Sequence, residues 1–263
     1  MLGFSPKLPI GDEERQWVDE GFRRLEKLLG RRQMLDAHVI TPTAEDFPDP
    51  YDRTSTGYVE KLFCRVCHYM HVDRDGLEFE ILPDETDELR ELLPHWRGST
   101  GKQAAGLYLH AMEEGVSEGD GRAIVAIRSS QLKDPLCLVA TIAHELGHVI
   151  LLGQGLMSPK TSDHERMTDL LTVYLGLGIF NANAANRFRQ YEDERRQGWS
   201  VQRLGYLAEE SFGYALAKFS VERGEDKVEW EKHLSTNVRS YFNRSRRWLA
   251  KNPYGITMAK PIG

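Results

Sequence analysis

Apolar residues recur at helical spacing in the first quarter of the chain. Residues 11–36 and residues 57–72 each carry one apolar face, which predicts two amphipathic helices. Residues 41–56 between them are polar and contain three prolines, so they predict a connecting loop. The apolar positions are Trp17, Phe22, Leu25, Leu28 and Leu29 in the first helix and Val59, Leu62, Phe63, Val66 and Met70 in the second.

The pattern changes to the period of a half-buried strand at residues 77–82, where apolar and acidic positions alternate. Residues 106–110 and 123–127 are two further candidate strands, and a turn sequence at residues 118–121 precedes the last of them. We expect these strands to form a small antiparallel sheet.

From residue 134 onward the hydrophobic pattern is mostly helical. It predicts helices at residues 134–152, 163–180, 203–222 and 226–251, with a polar loop at residues 181–200. The sheet would pack on the first of these helices. The predicted fold class is therefore α+β, with a mainly helical C-terminal half.

The length of 263 residues exceeds that of one usual domain and is short for two full ones. We expect an N-terminal helix and loop over residues 1–56, a core of sheet and helices over residues 57–180, and a helical subdomain over residues 181–263. Hydrophobic residues make up 40% and charged residues 28% of the chain, which excludes collagen, coiled-coil rods and wholesale disorder.

The charge of the chain argues against two classes of partner. The 34 basic and 40 acidic side chains give a net charge of −6, which does not favour binding to nucleic acid or to an anionic membrane. The C-terminal helix is basic, but its apolar residues recur at helical spacing and predict a solvated face over a packed one. The chain shows no signal-peptide pattern and no uninterrupted apolar run of membrane-spanning length. We therefore expect a soluble, cytoplasmic protein.

The segment of residues 143–148 contains the motif H-E-x-x-H. On a helix, His144 and His148 lie on one face because they are four residues apart, and two imidazoles at that spacing can bind one Zn²⁺. Glu145 lies beside them and can accept a proton from a water molecule as a general base.

The context of the motif indicates a buried helix. Asp134 and Pro135 are typical of a helix start, and Gly153 is typical of a helix end. The helix between them is apolar almost all round, so its polar residues need partners. A metal ion would satisfy all three polar residues of the motif. The other interpretation is a pair of core histidines bonded to backbone carbonyls.

The third zinc ligand should come from another element. Glu165, 17 residues after His148, is our first candidate, and Asp169 one turn later would accept a hydrogen bond from a zinc-bound imidazole. In two alternative interpretations, Asp169 or His164 is the third ligand in place of Glu165. A further alternative is that Glu165 closes a capping box with Ser162 at the helix start.

HELGH on one helix, followed by a helix with Glu165 and then Asp169, resembles the gluzincin metallopeptidases, the thermolysin-like clan. The short spacing between His148 and Glu165 is similar to that of compact intracellular members. The resemblance covers residues 104–180 and implies a zincin-like core, a zinc ion and a peptide or protein substrate. It also implies that the strand at residues 123–127 is an edge strand that pairs with extended substrate.

The resemblance further implies a side chain that stabilises the oxyanion of the tetrahedral intermediate. Tyr214 is our first candidate and Tyr174 our second, although aromatic residues at helical spacing are more often part of a core. The resulting hypothesis is a zinc metallopeptidase with ligands His144, His148 and Glu165. The alternative is a non-catalytic zinc-binding regulatory or scaffold module on the same fold.

Cys64, Cys67 and His68 match C-x-x-C-H, the attachment signature of c-type haem. A third hypothesis is accordingly a haem, metal or redox site, with His68 or His71 as a further ligand. Both cysteines lie beside the apolar face of a predicted helix, which favours plain helix residues. Cys137 is too far along its helix from His144 to share a metal and is expected in the core.

Overall fold

The computed structural model describes five stretches of the chain, residues 7–52, 54–83, 106–109, 123–193 and 206–252. In the first stretch, helix α1 spans Asp12–Leu29 and the short helix α2 spans Arg31–Leu35. The sequence predicted one helix here, but Gly30 adopts a φ of 86°, which lies outside the helical region and divides it in two. Of the predicted apolar positions of α1, Phe22 and Leu25 are buried and Trp17, Leu28 and Leu29 are half-buried.

Helix α3, Thr56–Tyr69, begins at the position that the sequence indicated. Ser55 is its N-cap and accepts a hydrogen bond from the backbone N–H of Tyr58. Val59, Leu62, Phe63, Val66 and Met70 are buried, so the predicted apolar face is confirmed.

The sheet has three strands, β1 (Leu77–Leu82), β2 (Gly106–Leu109) and β3 (Ala123–Arg128), in the order β1-β3-β2. β3 pairs with β2 in the antiparallel sense and with β1 in the parallel sense. The prediction of a purely antiparallel sheet is therefore wrong for β1 and β3. Residues 83–122 separate these two strands, a connection long enough for a parallel pairing, which no tight hairpin could provide. The predicted turn at residues 118–121 lies outside the described residues.

Helix α4, Pro135–His148, follows β3 after a 3₁₀ turn at Ser129–Lys133 and continues into a π-helical turn at Val149–Gly153. The carboxylate of Asp134 accepts hydrogen bonds from the backbone N–H groups of Leu136 and Cys137, so the predicted helix start is confirmed. Among the described residues, the stretch Pro135–Gly153 is the one helix long and apolar enough to cross a membrane. Most of it is buried inside the protein, as expected of a core helix.

Four helices follow: α5 (His164–Tyr174), α6 (Gly178–Asp193), α7 (Glu209–Glu222) and α8 (Thr236–Lys251). The predicted helix at residues 163–180 therefore ends early, and α6 occupies much of the predicted loop at residues 181–200. The polar composition of that segment is misleading because Asn181 is buried and donates a hydrogen bond to the backbone oxygen of Ala140. The predicted helix at residues 226–251 begins only at Thr236, after a 3₁₀ turn at Glu229–His233.

Buried apolar side chains from the N-terminal helices, the sheet and the C-terminal helices form one continuous core. Within it, α5 packs against α1, α4 and α7, and β2 and β3 lie against α4. This arrangement places α4 and α5 side by side at the centre of the molecule. The division into residues 1–56, 57–180 and 181–263 stays a prediction.

Candidate metal centre

Helices α4 and α5 bring three candidate ligands together. One carboxylate oxygen of Glu165, Oε2, lies 3.0 Å from Nε2 of His144 and 3.3 Å from Nε2 of His148. The two imidazole rings have centroids 4.8 Å apart. One ligand atom from each of the three residues lies within 4.8 Å of the others, and no other such group is found in the described stretches.

These distances fit a zinc site. Bonds of about 2.0–2.2 Å in tetrahedral geometry place neighbouring donor atoms roughly 3.3–3.5 Å apart. The distances from Glu165 to the two imidazole nitrogens are within a few tenths of an ångström of that value. Two imidazole nitrogens and one carboxylate oxygen are also the donor set that three-ligand catalytic zinc sites use. The residues present therefore fit a zinc ion, and their role as ligands stays a prediction.

Asp169 contacts the ring nitrogen of His144 that faces away from Glu165. Its Oδ1 lies 2.9 Å from Nδ1 of His144, and its Oδ2 accepts a hydrogen bond of 2.9 Å from the backbone N–H of Leu207. With a zinc ion bound, a proton on Nδ1 shared with this carboxylate would leave the lone pair of a neutral imidazole on Nε2, which faces Glu165. The structure thus gives Asp169 the contact that the sequence predicted, with both of its oxygens engaged away from the metal position.

Thr168 orients His148 in a similar way. Its hydroxyl donates to the backbone oxygen of His164 at 2.9 Å, and the same oxygen atom lies 3.3 Å from Nδ1 of His148. Because the single hydroxyl proton is used, Thr168 can only accept a hydrogen bond from Nδ1. With a zinc ion bound, the lone pair of His148 would therefore also lie on Nε2, directed at the same point as that of His144.

A close approach of α4 and α5 makes this geometry possible. A Cβ atom at Gly147 would lie 2.7 Å from Cγ2 of Thr168, so no larger residue fits without moving one helix. The glycine of HELGH thus lets the first turn of α5 reach the two histidines of α4.

The alternatives for Glu165 find no support in the geometry. The N-cap of α5 is Asp163 rather than Ser162, and no side chain caps the helix there, so the capping box is not formed. His164 has its Nδ1 3.6 Å from Oε1 of Glu165 and lies outside the three-residue group. Three side chains were considered as the third ligand: Glu165, Asp169 and His164. Of these, Glu165 is the one that faces both His144 and His148.

Burial and neighbouring charges shift the ionisation of the cluster. Burial would lower the pKa of His144, but its hydrogen bonds to Asp169 and Glu165 outweigh burial and raise that pKa well above the usual value. Burial lowers the pKa of His148. Burial would raise the pKa of Glu165, but both histidines outweigh it and hold that pKa far below the usual value. The pKa values of these three buried side chains therefore depend on one another.

Glu145 is buried beside the cluster, and its carboxyl group senses the charges of His144 and Glu165. Burial raises its pKa to about 8, and the charge of His144 offsets part of that increase. A carboxyl group whose pKa lies near 8 releases and takes up its proton readily near neutral pH.

The structure adds one aromatic residue that sequence reasoning missed. Tyr206 precedes α7, has its ring centroid 5.2 Å from that of His144, and retains 38% of its surface exposed. The hydrogen bond from the next residue, Leu207, to Asp169 fixes this segment against the cluster. No sequence motif marks Tyr206, since tertiary packing alone brings it to a site formed some 40 to 60 residues earlier.

The two tyrosines that the sequence suggested for stabilising the oxyanion, Tyr214 and Tyr174, have hydroxyl groups bonded to residues outside the cluster. The hydroxyl of Tyr214 donates to Asp19 at 2.8 Å, and that of Tyr174 donates to the backbone oxygen of Gly30 at 3.0 Å. Both side chains are buried in the core, and burial raises the pKa of each hydroxyl. The structure therefore does not support these two candidates.

The predicted role of the last strand as a substrate edge is also wrong. β3 is the central strand and is paired on both sides. In the described part of the sheet, β1 and β2 are the edges, and β2 is the antiparallel one. Any pairing of this kind would therefore have to use β2.

The cysteines do not form a second centre among the described residues. Cys64 is exposed, while Cys67 and Cys137 are buried, and none has a disulfide partner. Burial raises the pKa of the Cys67 thiol to about 12, which leaves it unreactive at neutral pH. The interpretation of the cysteines as plain helix residues is favoured.

The C-terminal helix α8 has the packed apolar face that the sequence predicts beneath its basic one. Val238, Phe242 and Leu249 on this face are buried, so the prediction is confirmed.

Comparisons with protein-family models, with curated proteins and with solved structures find no match for this chain. The case for a function therefore rests on the geometry of the cluster formed by α4 and α5.

Proposed function

We propose that the protein is a zinc metallopeptidase with a gluzincin-like centre formed by His144, His148 and Glu165. The observation that carries the proposal is the convergence of two imidazole Nε2 atoms on one carboxylate oxygen, at distances that suit a tetrahedral zinc ion. The contact of Asp169 with the opposite nitrogen of His144 supports it, because metal-binding imidazoles are commonly held in that way.

The donor set favours zinc over other common divalent ions. Magnesium and calcium prefer oxygen ligands, whereas two of the three donors here are imidazole nitrogens. A zinc ion bound here would make a water molecule acidic and would polarise the carbonyl group of a peptide bond.

Glu145 would move the proton in this reaction. Burial raises its pKa to about 8 in the metal-free protein, and the positive charge of a bound zinc ion would lower that pKa. The carboxylate would then accept a proton from the attacking water and pass it to the amine nitrogen of the leaving group. His144 and His148 need not titrate, since Asp169 and Thr168 hold their Nδ1 protons. The positions of the side chains assign their roles. His144, His148 and Glu165 would bind the zinc ion, and Glu145 would transfer the proton.

A peptide or protein substrate would reach the cluster at Glu165 and Tyr206. The side chain of Glu165 retains 17% of its surface exposed, and Tyr206 is an exposed ring beside His144. Strand β2, at the sheet edge next to α4, supports the pairing with an extended substrate that the resemblance predicts, with β2 in place of β3. A cytoplasmic location belongs to the same proposal.

The test is metal analysis of purified protein together with hydrolysis of a peptide library. Wild-type protein should bind one zinc ion per chain and cleave peptides. Glu145→Gln should keep the zinc ion and lose cleavage by at least about a hundredfold, because general acid–base groups contribute that much. Glu13→Gln, at an exposed position of α1, is the matched control and should behave like wild type. Full hydrolysis by Glu145→Gln would refute the assignment.

The alternative is a non-catalytic zinc-binding module, and the burial of His144 and His148 favours it over other non-enzymatic roles. This alternative predicts the same zinc content and no cleavage by wild-type protein of any library member. Cleavage that zinc removal abolishes and zinc addition restores would exclude it.

A further inference from the structure

The residues on both sides of Glu165 are held by the N-terminal helix. The indole N–H of Trp17 donates to Oδ2 of Asp163 at 3.1 Å. Arg166 donates from one guanidinium nitrogen to both carboxylate oxygens of Glu14, at 2.6 Å each. Asp163 and Arg166 thus bracket the third candidate ligand, and both partners belong to α1.

Asp163 is used in an unusual way for its position. It is the N-cap of α5, where an aspartate commonly accepts hydrogen bonds from the backbone of its own helix. Here its side chain makes no such bond and is engaged by Trp17 instead. The first turn of α5 is therefore held by α1 rather than by its own cap.

Arg166 is fixed on two sides. Its guanidinium carbon lies 3.8 Å from the centroid of the Trp17 ring, a cation–π contact, while Glu14 binds its nitrogen. The hydroxyl of Ser211 on α7 also donates to Glu14, at 2.6 Å. Glu14 is consequently anchored to a third helix and does not move freely with Arg166.

The two contacts together restrain rotation of the helix end. Glu14 and Trp17 are three residues apart and share a face of α1, and Asp163 and Arg166 are three residues apart at the start of α5. A single contact would let the first turn pivot, whereas two contacts that flank Glu165 fix its orientation. Helix ends otherwise fray because their first N–H groups have no partners within the helix.

From these contacts we propose that the Glu14–Trp17 face of α1 is a positioning element for Glu165 and thereby sets the zinc affinity of the site. The inference rests on the proposed metal centre. Its physical basis is preorganisation: a ligand held in place before the metal arrives loses less freedom on binding. Removing a direct hydrogen-bond partner of a metal ligand typically lowers metal affinity by about 10- to 100-fold; the Trp17–Asp163 bond acts one step further out, so we expect the lower end of that range.

The experiment measures zinc affinity of the metal-free full chain by competition with a chromophoric chelator. Trp17→Phe keeps a ring under Arg166 and removes the N–H donor, and Asp163→Ala removes the acceptor from the other side. Each variant should bind zinc about tenfold more weakly than wild type. The double variant should lose no more than either single variant, because both remove one shared hydrogen bond. Asp163→Ala leaves α1 unchanged and tests the bond even where Trp17→Phe folds poorly.

The matched control is Phe22→Leu, which disturbs the same pair of helices at the other end. The ring of Phe22 lies 6.0 Å from that of Tyr174, the last residue of α5. This variant should lower the melting temperature and leave zinc affinity within about twofold of wild type. Equal losses of affinity in Phe22→Leu and Trp17→Phe would overturn the proposal, since general destabilisation would then explain both.

The outcomes also separate this inference from the proposed function. Wild-type protein that binds no zinc would refute the metal centre and the positioning role together. Wild-type protein that binds zinc, with Trp17→Phe and Asp163→Ala within twofold of it, would refute the positioning role and leave the metal centre standing.

Discussion

Gly147 lies at a close contact between α4 and α5, and the variant Gly147→Ala tests whether that contact is needed for the site. The added Cβ would lie 2.7 Å from Cγ2 and 3.5 Å from the backbone oxygen of Thr168. Thr168 cannot rotate away easily, because its hydroxyl is bonded to the backbone of His164 and the side chain is fully buried. One of the two helices therefore has to move by roughly 0.7–1 Å to reach ordinary carbon–carbon contact.

A shift of that size exceeds what a zinc site tolerates. Metal–ligand distances vary by only about 0.2 Å, so separating Glu165 from the two histidines should weaken zinc binding by at least about tenfold. Overpacking of this kind costs about 1–3 kcal/mol of unfolding free energy. For a chain of this size, that corresponds to a decrease in melting temperature of about 2–10 °C in the metal-free protein.

Two further variants make the prediction specific. Gly147→Ala with Thr168→Ser removes the clashing methyl group and keeps the hydroxyl, so zinc affinity should recover most of its loss. Gly57→Ala in α3 places a Cβ 3.8 Å from the Ser55 hydroxyl and should leave zinc affinity unchanged. Chelator competition measures the affinity, and thermal unfolding of metal-free protein measures the stability. Wild-type affinity in Gly147→Ala, or failure of Thr168→Ser to restore a loss, would refute the reasoning.

Two other predictions concern the edge of the cluster and its charge. Tyr206→Ala removes the exposed ring beside His144 and should raise KM for peptides several-fold at unchanged zinc content; an unchanged KM would show that substrate does not contact this ring. In metal-free protein, the pKa of Glu145 is raised to about 8 and that of His144 is also raised, so between pH 6.5 and 8 the folded state holds protons that the unfolded chain has released. The unfolding free energy should therefore fall across that range, and Glu145→Gln should reduce the fall; denaturant titrations at several pH values that show equal slopes in the two proteins would contradict this.

Local signals in the sequence were enough to place α4 and to bring its two histidines to one face. Asp134 caps the helix as its sequence position indicates, and the four-residue spacing puts His144 and His148 on one face. The start of α5 was also placed to within one residue, which brought Glu165 into the argument. These features depend on residues close to one another in the chain, where spacing and capping preferences act directly.

Features that depend on distant residues could not be read in the same way. The parallel pairing of β1 with β3 joins residues that are 46 positions apart in the chain, such as Leu77 and Ala123, and alternation within a strand does not encode it. The roles of Thr168 and Leu207 depend on the packing of α5 against α4 and of the segment before α7 against α5. Helix α6 was missed because small and polar residues of its first half, such as Asn181 and Ala182, are buried, whereas composition suggests a surface loop.

The charges gathered at the cluster favour a cation over a pair of ordinary core histidines. His144, His148, Glu145 and Asp169 are all buried, and Glu165 is largely so. The interpretation as core histidines expects backbone carbonyls as partners of the imidazoles, whereas His144 contacts the carboxylates of Asp169 and Glu165, and His148 contacts that of Glu165. Without a metal, His144 has to hold a second proton to balance those carboxylates, and its raised pKa reflects that need. A divalent cation at the same point would balance Glu165 and Asp169 and release that proton. Zinc binding should therefore release protons near neutral pH, and calorimetry in buffers of different ionisation enthalpy measures their number.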